Sequence, residues 1–212
     1  MNRFIILVIS ALGTTPMLSQ AIDVDAAAQT SAAQTSAARI AVGTCAGCHG
    51  ASGVSTMPKF PMLAAQRSTY LADQLKAFKS KTRGDPDALA FMQGIAASLN
   101  DAQIAGLAQY YSSQRAHSGA GVAVDSAAAA RGREIYENGI EAQNVPGCRS
   151  CHGAKAEGKV EGPRLAGQHS QYFLSQMTSY RLNLRDAAAM HEVAVALKPS
   201  DIEDLAAYIG SR

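Results

Sequence analysis

Cys45-Ala46-Gly47-Cys48-His49 and Cys148-Arg149-Ser150-Cys151-His152 decide the fold, because each is a Cys-x-x-Cys-His run and together they use all four cysteines of the 212-residue chain. Two thiols three positions apart on a tight turn can each add to one vinyl group of a haem. The histidine that follows is then carried under the ring, where its imidazole binds iron. The spacing assigns two covalently bound c-type haems, attached through Cys45, Cys48, Cys148 and Cys151, with His49 and His152 as proximal iron ligands. Four thiols in Cys-x-x-Cys pairs can also hold one zinc, form disulfides or act as a redox dithiol. A zinc ribbon usually places its pairs much closer together, and a thioredoxin-like motif needs no histidine after each pair.

Superposing the two motifs shifts the first half onto the second by 103 positions, and matches continue downstream with small gaps. Pro61-Met62-Leu63-Ala64-Ala65-Gln66 pairs with Pro163-Arg164-Leu165-Ala166-Gly167-Gln168, and Tyr70, Gln74 and Phe78 pair with Tyr172, Gln176 and Tyr180. Further on, Met92, Ile95, Ala96 and Leu99 pair with Met190, Val193, Ala194 and Leu197, then Ile104, Leu107 and Tyr110 with Ile202, Leu205 and Tyr208. A period near 100 residues is a duplicated domain, since solenoid repeats are shorter. Within each half the apolar spacing is helical. Tyr70, Leu71, Leu75 and Phe78 share a face, as do Tyr172, Phe173, Met177 and Tyr180. The last helices carry Ile104, Leu107, Ala108 and Tyr111, and Ile202, Leu205, Ala206 and Ile209, with start signals at Asn100/Gln103 and at Pro199, Ser200 and Glu203. No stretch alternates as a strand, so the fold class is all-α with two tandem haem domains, at 39–113 and 127–212. Residues 114–126, with Ser118-Gly119-Ala120-Gly121, read as a linker, and residues 22–38 as a flexible alanine-rich lead that can in part extend the first helix.

The sixth ligand separates an enzyme from a carrier. A haem with only a proximal histidine admits peroxide, oxygen or carbon monoxide, whereas one closed by a second side chain passes electrons. Thioether sulfur is a soft donor that favours ferrous iron and raises the potential. Of Met57, Met62, Met92, Met177 and Met190, only Met92 and Met190 occupy equivalent places, each seven residues before a matching leucine. They are the expected distal ligands. His191 is the rival at the second iron, but its counterpart is Gln93, which points to a rim position. His117 and His169 read as polar surface. Tyr70, Tyr172, Gln66 and Gln168 recur in both halves and suit haem-edge or packing roles, while Lys76, Lys79, Lys81 and Arg83 form a basic group suited to an acidic partner or simply to water.

The N-terminus opens with Asn2-Arg3, an apolar run from Phe4 to Leu12, and Ser19-Gln20-Ala21, which reads as a secretory signal over residues 1–21. An uncleaved tether, giving peripheral membrane association, is the alternative. Export agrees with haem attachment, which in bacteria takes place outside the cytoplasm, so the expected location is the periplasm. Without Arg3 the formal net charge falls from +2 to +1, and four ionised propionates would bring the holoprotein to about −3. There is no basic excess or aromatic-interleaved basic stripe, so no nucleic-acid partner is expected.

These residues in this order resemble the dihaem cytochrome c4 family, bacterial electron carriers with two class I cytochrome c domains in tandem. The resemblance covers about residues 39–212 and includes Tyr110-Tyr111-Ser112-Ser113-Gln114 and the Gly139-Ile140 and Val145-Pro146-Gly147-Cys148 approach to the second motif. It implies His/Met ligation at both irons, haems facing one another across the domain interface, and Pro61 and Pro163 carbonyls that orient His49 and His152. Phe60 before Pro61, where Gly162 precedes Pro163, and Ala65 in place of Gly167 depart from the symmetry and leave the first loop's geometry open.

The expected function is one-electron-per-haem transport, not enzymatic turnover, from a quinol-oxidising complex or a dehydrogenase to a terminal oxidase or another cytochrome. Two alternatives remain. One is a dihaem peroxidase or thiosulfate-oxidising enzyme with a labile sixth site. The other is a fixed haem subunit of a dehydrogenase or oxidase complex.

Overall fold

Alanine is the strongest helix former, and the alanine-rich lead is already helical over 34–40 in the computed structural model, ahead of the boundary expected at Arg39. The model describes residues 34–119 and 125–212; the signal reading, most of the lead and part of the linker lie outside them. The helix continues through a wider π-helical stretch, Ala41–Cys45, and ends in the turn Ala46–His49, and these segments together form α1. Ala37 and Ala41 are fully buried, and their small side chains pack in one cluster with Leu71, Ile104, Leu107 and Ala108.

Helix α2, Ser68–Lys79, buries Leu71 and Phe78. Helix α3 combines a second π-helical stretch, Ala88–Met92, with Gln93–Ala97. Helix α4, Asp101–Ser112, starts at a reciprocal cap in which the Asn100 side chain accepts from Gln103 N and the Gln103 side chain from Asn100 N, both at 2.9 Å. These bonds satisfy two amides that a helix start would otherwise leave unpaired.

In the second half, α5 spans Ser126–Asn138, with Asp125 capping it from one residue before. A short helical turn, Glu141–Gln143, and an antiparallel bridge between Ile140 and Val145 lead into α6, Arg149–His152. Helices α7, Ser170–Arg181, α8, Ala188–Ala196, and α9, Pro199–Gly210, complete the copy. Helix α9 begins at Pro199, the first of its three start signals, and the acid that caps it is Asp201 rather than Glu203, accepting from Lys198 N at 2.9 Å.

The all-α expectation holds: among the described residues the single bridge is the only β pairing. Helices α5 and α9 cross so closely at Gly132 that a Cβ there would sit 1.9 Å from the Asp204 carbonyl oxygen. Beside this crossing Arg131 makes a bidentate pair with Asp204, at 2.7 and 2.8 Å. The second core gathers Tyr136, Phe173, Met177, Leu197, Leu205 and Ile209. Both halves belong to one compact unit, Ala33–Arg212. Among the described residues no helix is long and apolar enough to cross a membrane.

Candidate functional site

The turn that ends α1 places His49 in the interior, and α6 does the same for His152; both rings are buried. His49 Nδ1 lies 3.0 Å from Pro61 O, and His152 Nδ1 lies 2.9 Å from Pro163 O. A carbonyl only accepts, so each Nδ1 carries the proton and each Nε2 keeps its lone pair. Burial pushes both imidazoles below the ordinary histidine range, partly opposed by the proline hydrogen bonds, and favours the neutral form that can bind a metal.

No disulfide joins the four cysteines; Cys45, Cys48 and Cys148 are half-buried and Cys151 is exposed. In the thiol form that precedes haem attachment, burial raises Cys45 and pushes Cys148 up to about 11. Among the described residues no three His, Cys, Asp or Glu side chains gather into a metal cluster. The zinc alternative therefore has no assembled donor set there.

One largely apolar cleft, with about 1530 Å³ of unfilled space including its open mouths, runs through both halves. Its wall includes Cys45, His49 and Met92 from the first half and His152 and Met190 from the second. Met92 ends the π-helical stretch of α3, whereas Met190 sits in the regular helix α8. Cys48, Cys148 and Cys151 lie off this wall, at the turns that carry the histidines. His191 is also off it, with Nδ1 2.8 Å from Tyr180 O. Met62 and Met177 also line the cleft, both of them buried, and Met57 is exposed.

The loops that carry the prolines match despite their different sequences. Ala65 adopts φ 55° where Gly167 has 75°, so alanine accepts the left-handed conformation at a cost of about 1–2 kcal/mol. Phe60 packs edge-on against His49, with ring centroids 6.1 Å apart, and against Phe91 at 5.3 Å. In the second half a Cβ on Gly162 would come within 2.8 Å of His152 Nδ1.

A polar ring lies between the halves that the sequence reading did not assemble. Arg83 donates to Gln74 Oε1 at 2.7 Å and to Gln176 Oε1 at 2.6 Å. Arg185 donates to the same two oxygens, at 3.0 and 2.7 Å. Each arginine also reaches the other half's tyrosine hydroxyl, Arg83 to Tyr172 and Arg185 to Tyr70. Arg83 therefore does not belong to a surface basic group with Lys76, Lys79 and Lys81; it is 5% exposed and paired with the buried Asp85 at 2.7 Å. The readable signal was the equal spacing of Gln74 to Arg83 and Gln176 to Arg185. His169 is likewise no mere surface residue, since its Nε2 reaches Ser55 O in the first half at 3.0 Å.

These features fit a porphyrin that carries carboxylates. The cleft is apolar enough for the ring. Two buried guanidinium groups face one buried carboxylate, which leaves positive charge for an anion to neutralise. The two arginines occupy Gln176 Oε1, while its buried Nε2 has no acceptor within the protein. The buried Tyr111 hydroxyl on the same wall lies beside the Cys45 sulfur.

The family model for cytochrome c matches the chain twice, over residues 21–114 and 129–212. Cytochrome c4 of Azotobacter vinelandii is 33% identical over 220 residues, covering 99% of this chain and 98% of the relative. The thiosulfate dehydrogenase electron acceptor of Thiomonas intermedia is 32% identical, covering 80% of this chain and 78% of the relative. Among solved structures, cytochrome c4 of Acidithiobacillus ferrooxidans superposes with a TM-score of 0.74 at 33% identity, covering 79% of this chain and 98% of that one. Two cytochrome c domains with one Cys-x-x-Cys-His motif each carry two covalently bound c-type haems. Duplication within the chain and similarity along nearly its whole length make the protein a member of the dihaem cytochrome c4 family.

Proposed function

We propose that the protein is a periplasmic electron carrier that takes up and releases one electron at each of two haems. Cys45 and Cys48 would hold one haem and Cys148 and Cys151 the other, with His49 and Met92, and His152 and Met190, as the side chains that would bind the irons. The observation that carries this reading is that, of the four methionines on the cleft wall with both proximal histidines, only Met92 and Met190 occupy equivalent places in the two halves, while His191 is engaged by Tyr180 O. When bound, the haem supplies an iron that cycles between ferric and ferrous states. The chain's own residues keep the imidazoles neutral and oriented, offer soft sulfur, and surround the ring with apolar side chains that exclude water.

Residues 1–21 act in this reading as the export signal, with domains at 39–113 and 127–212 joined by 114–126. The electron donor is a quinol-oxidising complex or a dehydrogenase, and the acceptor a terminal oxidase or another cytochrome. A relative named as the electron acceptor of thiosulfate dehydrogenase supports the dehydrogenase class of donor. Phe91, which lines the cleft, and Leu89 are both exposed, and they give the first half an apolar rim for docking.

Optical spectra of the holoprotein and of Met92→Ala and Met190→Ala test the assignment. The unaltered protein should show a sulfur-to-iron charge-transfer band accounting for two irons when oxidised and bind no carbon monoxide when reduced. Each variant should lose half of that band and gain one carbon monoxide site. An unchanged band in both variants would sink the assignment.

A further inference from the structure

We propose that each half controls the proximal histidine of the other half through a crossed hydrogen-bond relay: Gln168 acts on His49 through the Pro61–Met62 peptide, and Gln66 acts on His152 through the Pro163–Arg164 peptide. The inference rests on the axial roles proposed above for these histidines.

The Met62 N–H donates to Gln168 Oε1 at 2.9 Å. That N–H and the Pro61 carbonyl are opposite ends of one planar, conjugated peptide unit, and the carbonyl end accepts from His49 Nδ1 at 3.0 Å. In the other direction, Arg164 N–H donates to Gln66 Oε1 at 2.8 Å, and Pro163 O accepts from His152 Nδ1 at 2.9 Å. Accepting a hydrogen bond from the N–H end places more negative charge on the carbonyl oxygen, which strengthens the next bond in the chain by about 10–30%. A stronger pull on the Nδ1 proton makes Nε2 a more basic ligand and favours ferric iron.

The glutamine amides have a defined orientation. Gln168 Nε2 donates to Met62 O at 3.2 Å and Gln66 Nε2 donates to Arg164 O at 2.8 Å, so a flipped amide would set donor against donor. Each Oε1 also accepts from the next residue's amide, His169 N or Arg67 N, at 3.0 Å. Both side chains are buried, 6% exposed for Gln66 and 8% for Gln168, where an amide is tolerated only with its bonds made. The glutamines are positioning residues, and the state of the interface is thereby written into both axial bonds.

The test uses the holoprotein with Gln168→Leu and, separately, Gln66→Leu. In Gln168→Leu the reduction equilibrium of the iron on His49 should move toward ferrous by about threefold. The His49 Nδ1 proton of the reduced protein should shift upfield in NMR, while the His152 proton and its iron stay unmoved. Gln66→Leu should give the reverse. A shift confined to the variant's own half, equal shifts at both irons, or no shift would overturn the relay. The oxidised spectrum of the same samples separates the two levels: without His/Met bands in the unaltered protein the axial assignment fails and the relay with it. Intact bands with uncrossed potentials overturn the relay alone. Should a variant not accumulate, the unaltered protein still decides, because the Met62 and Arg164 amide protons should exchange slowly with solvent. Rapid exchange at both overturns the proposal.

Discussion

Arg83 and Arg185 meet on a single neutral oxygen, Oε1 of Gln176, at 2.6 and 2.7 Å, although they come from opposite halves and carry the same charge. Gln74 does the same from the other side, so amide oxygens separate two buried cations that would otherwise repel. Gln176→Leu should therefore cost about 3 kcal/mol of stability, because both guanidiniums lose an acceptor that water cannot replace in the buried interface. Chemical denaturation of the holoprotein checks this. The Gln74→Leu, Gln176→Leu double variant should lose less than the sum of the singles, since the two share both partners.

Gly162→Ala should displace the proximal ring of the second half. The added methyl would lie 2.8 Å from His152 Nδ1 and 2.9 Å from Cys151 O, and the backbone oxygen cannot step aside cheaply. The expected cost is about 2 kcal/mol, with a changed spectrum at one haem and an unchanged one at the other. Normal spectra at both haems, with unaltered stability, would contradict this reading.

The crossing of α5 and α9 gives a harsher outcome. Any Cβ at position 132 would meet the Asp204 carbonyl at 1.9 Å, so Gly132→Val should separate the helices and lower stability by about 3 kcal/mol or more. Thermal unfolding followed by far-UV circular dichroism measures it.

Much of this arrangement was legible from the duplication itself. Once the Cys-x-x-Cys-His motifs set the register, Met92 and Met190 fell into equivalent places, and the structure puts both on the cleft wall with His49 and His152. The all-α class followed from the spacing of residues such as Leu71 and Phe78, which are buried on α2. The interface was not legible, because the partners of Arg83 in the other half lie about 90 positions away, and next to Lys79 and Lys81 it reads as one more surface cation. The π-helical stretches that end at Cys45 and Met92 have no composition of their own. At the start of α9 the Pro199 signal was sound, but Glu203 mimics a capping acid whose place Asp201 takes, two residues nearer the proline.

Removing the cofactor should dismantle the helices. Without the ring, the apolar wall that includes Leu71, Phe78, Phe173 and Met177 faces water, and both cores lose the group they pack around. A chain with all four cysteines changed to alanine should lose most of its helical circular dichroism. Retention of the full signal would mean that the core holds without the ring.

His117 should titrate below the ordinary histidine value of about 6.5. Burial lowers it first, and the neighbouring His169 and Arg164 add to the effect. The unfolded chain then takes up this proton at a higher pH than the folded one does. This group's contribution is therefore fully present above the unfolded value and is lost as pH falls through the folded one. NMR titration of the holoprotein should show the low midpoint, moving upward in Arg164→Gln.

The shared amides of Gln74 and Gln176 also bear on how such a chain can change over generations. After a gene doubles, its copies are ordinarily free to drift apart. Here each copy supplies an acceptor for the other's cation, so neither glutamine can be exchanged without a matching adjustment across the boundary. The modules are bound to a common history, and a hybrid assembled from halves of two diverged relatives should inherit an interface that neither parent had tuned.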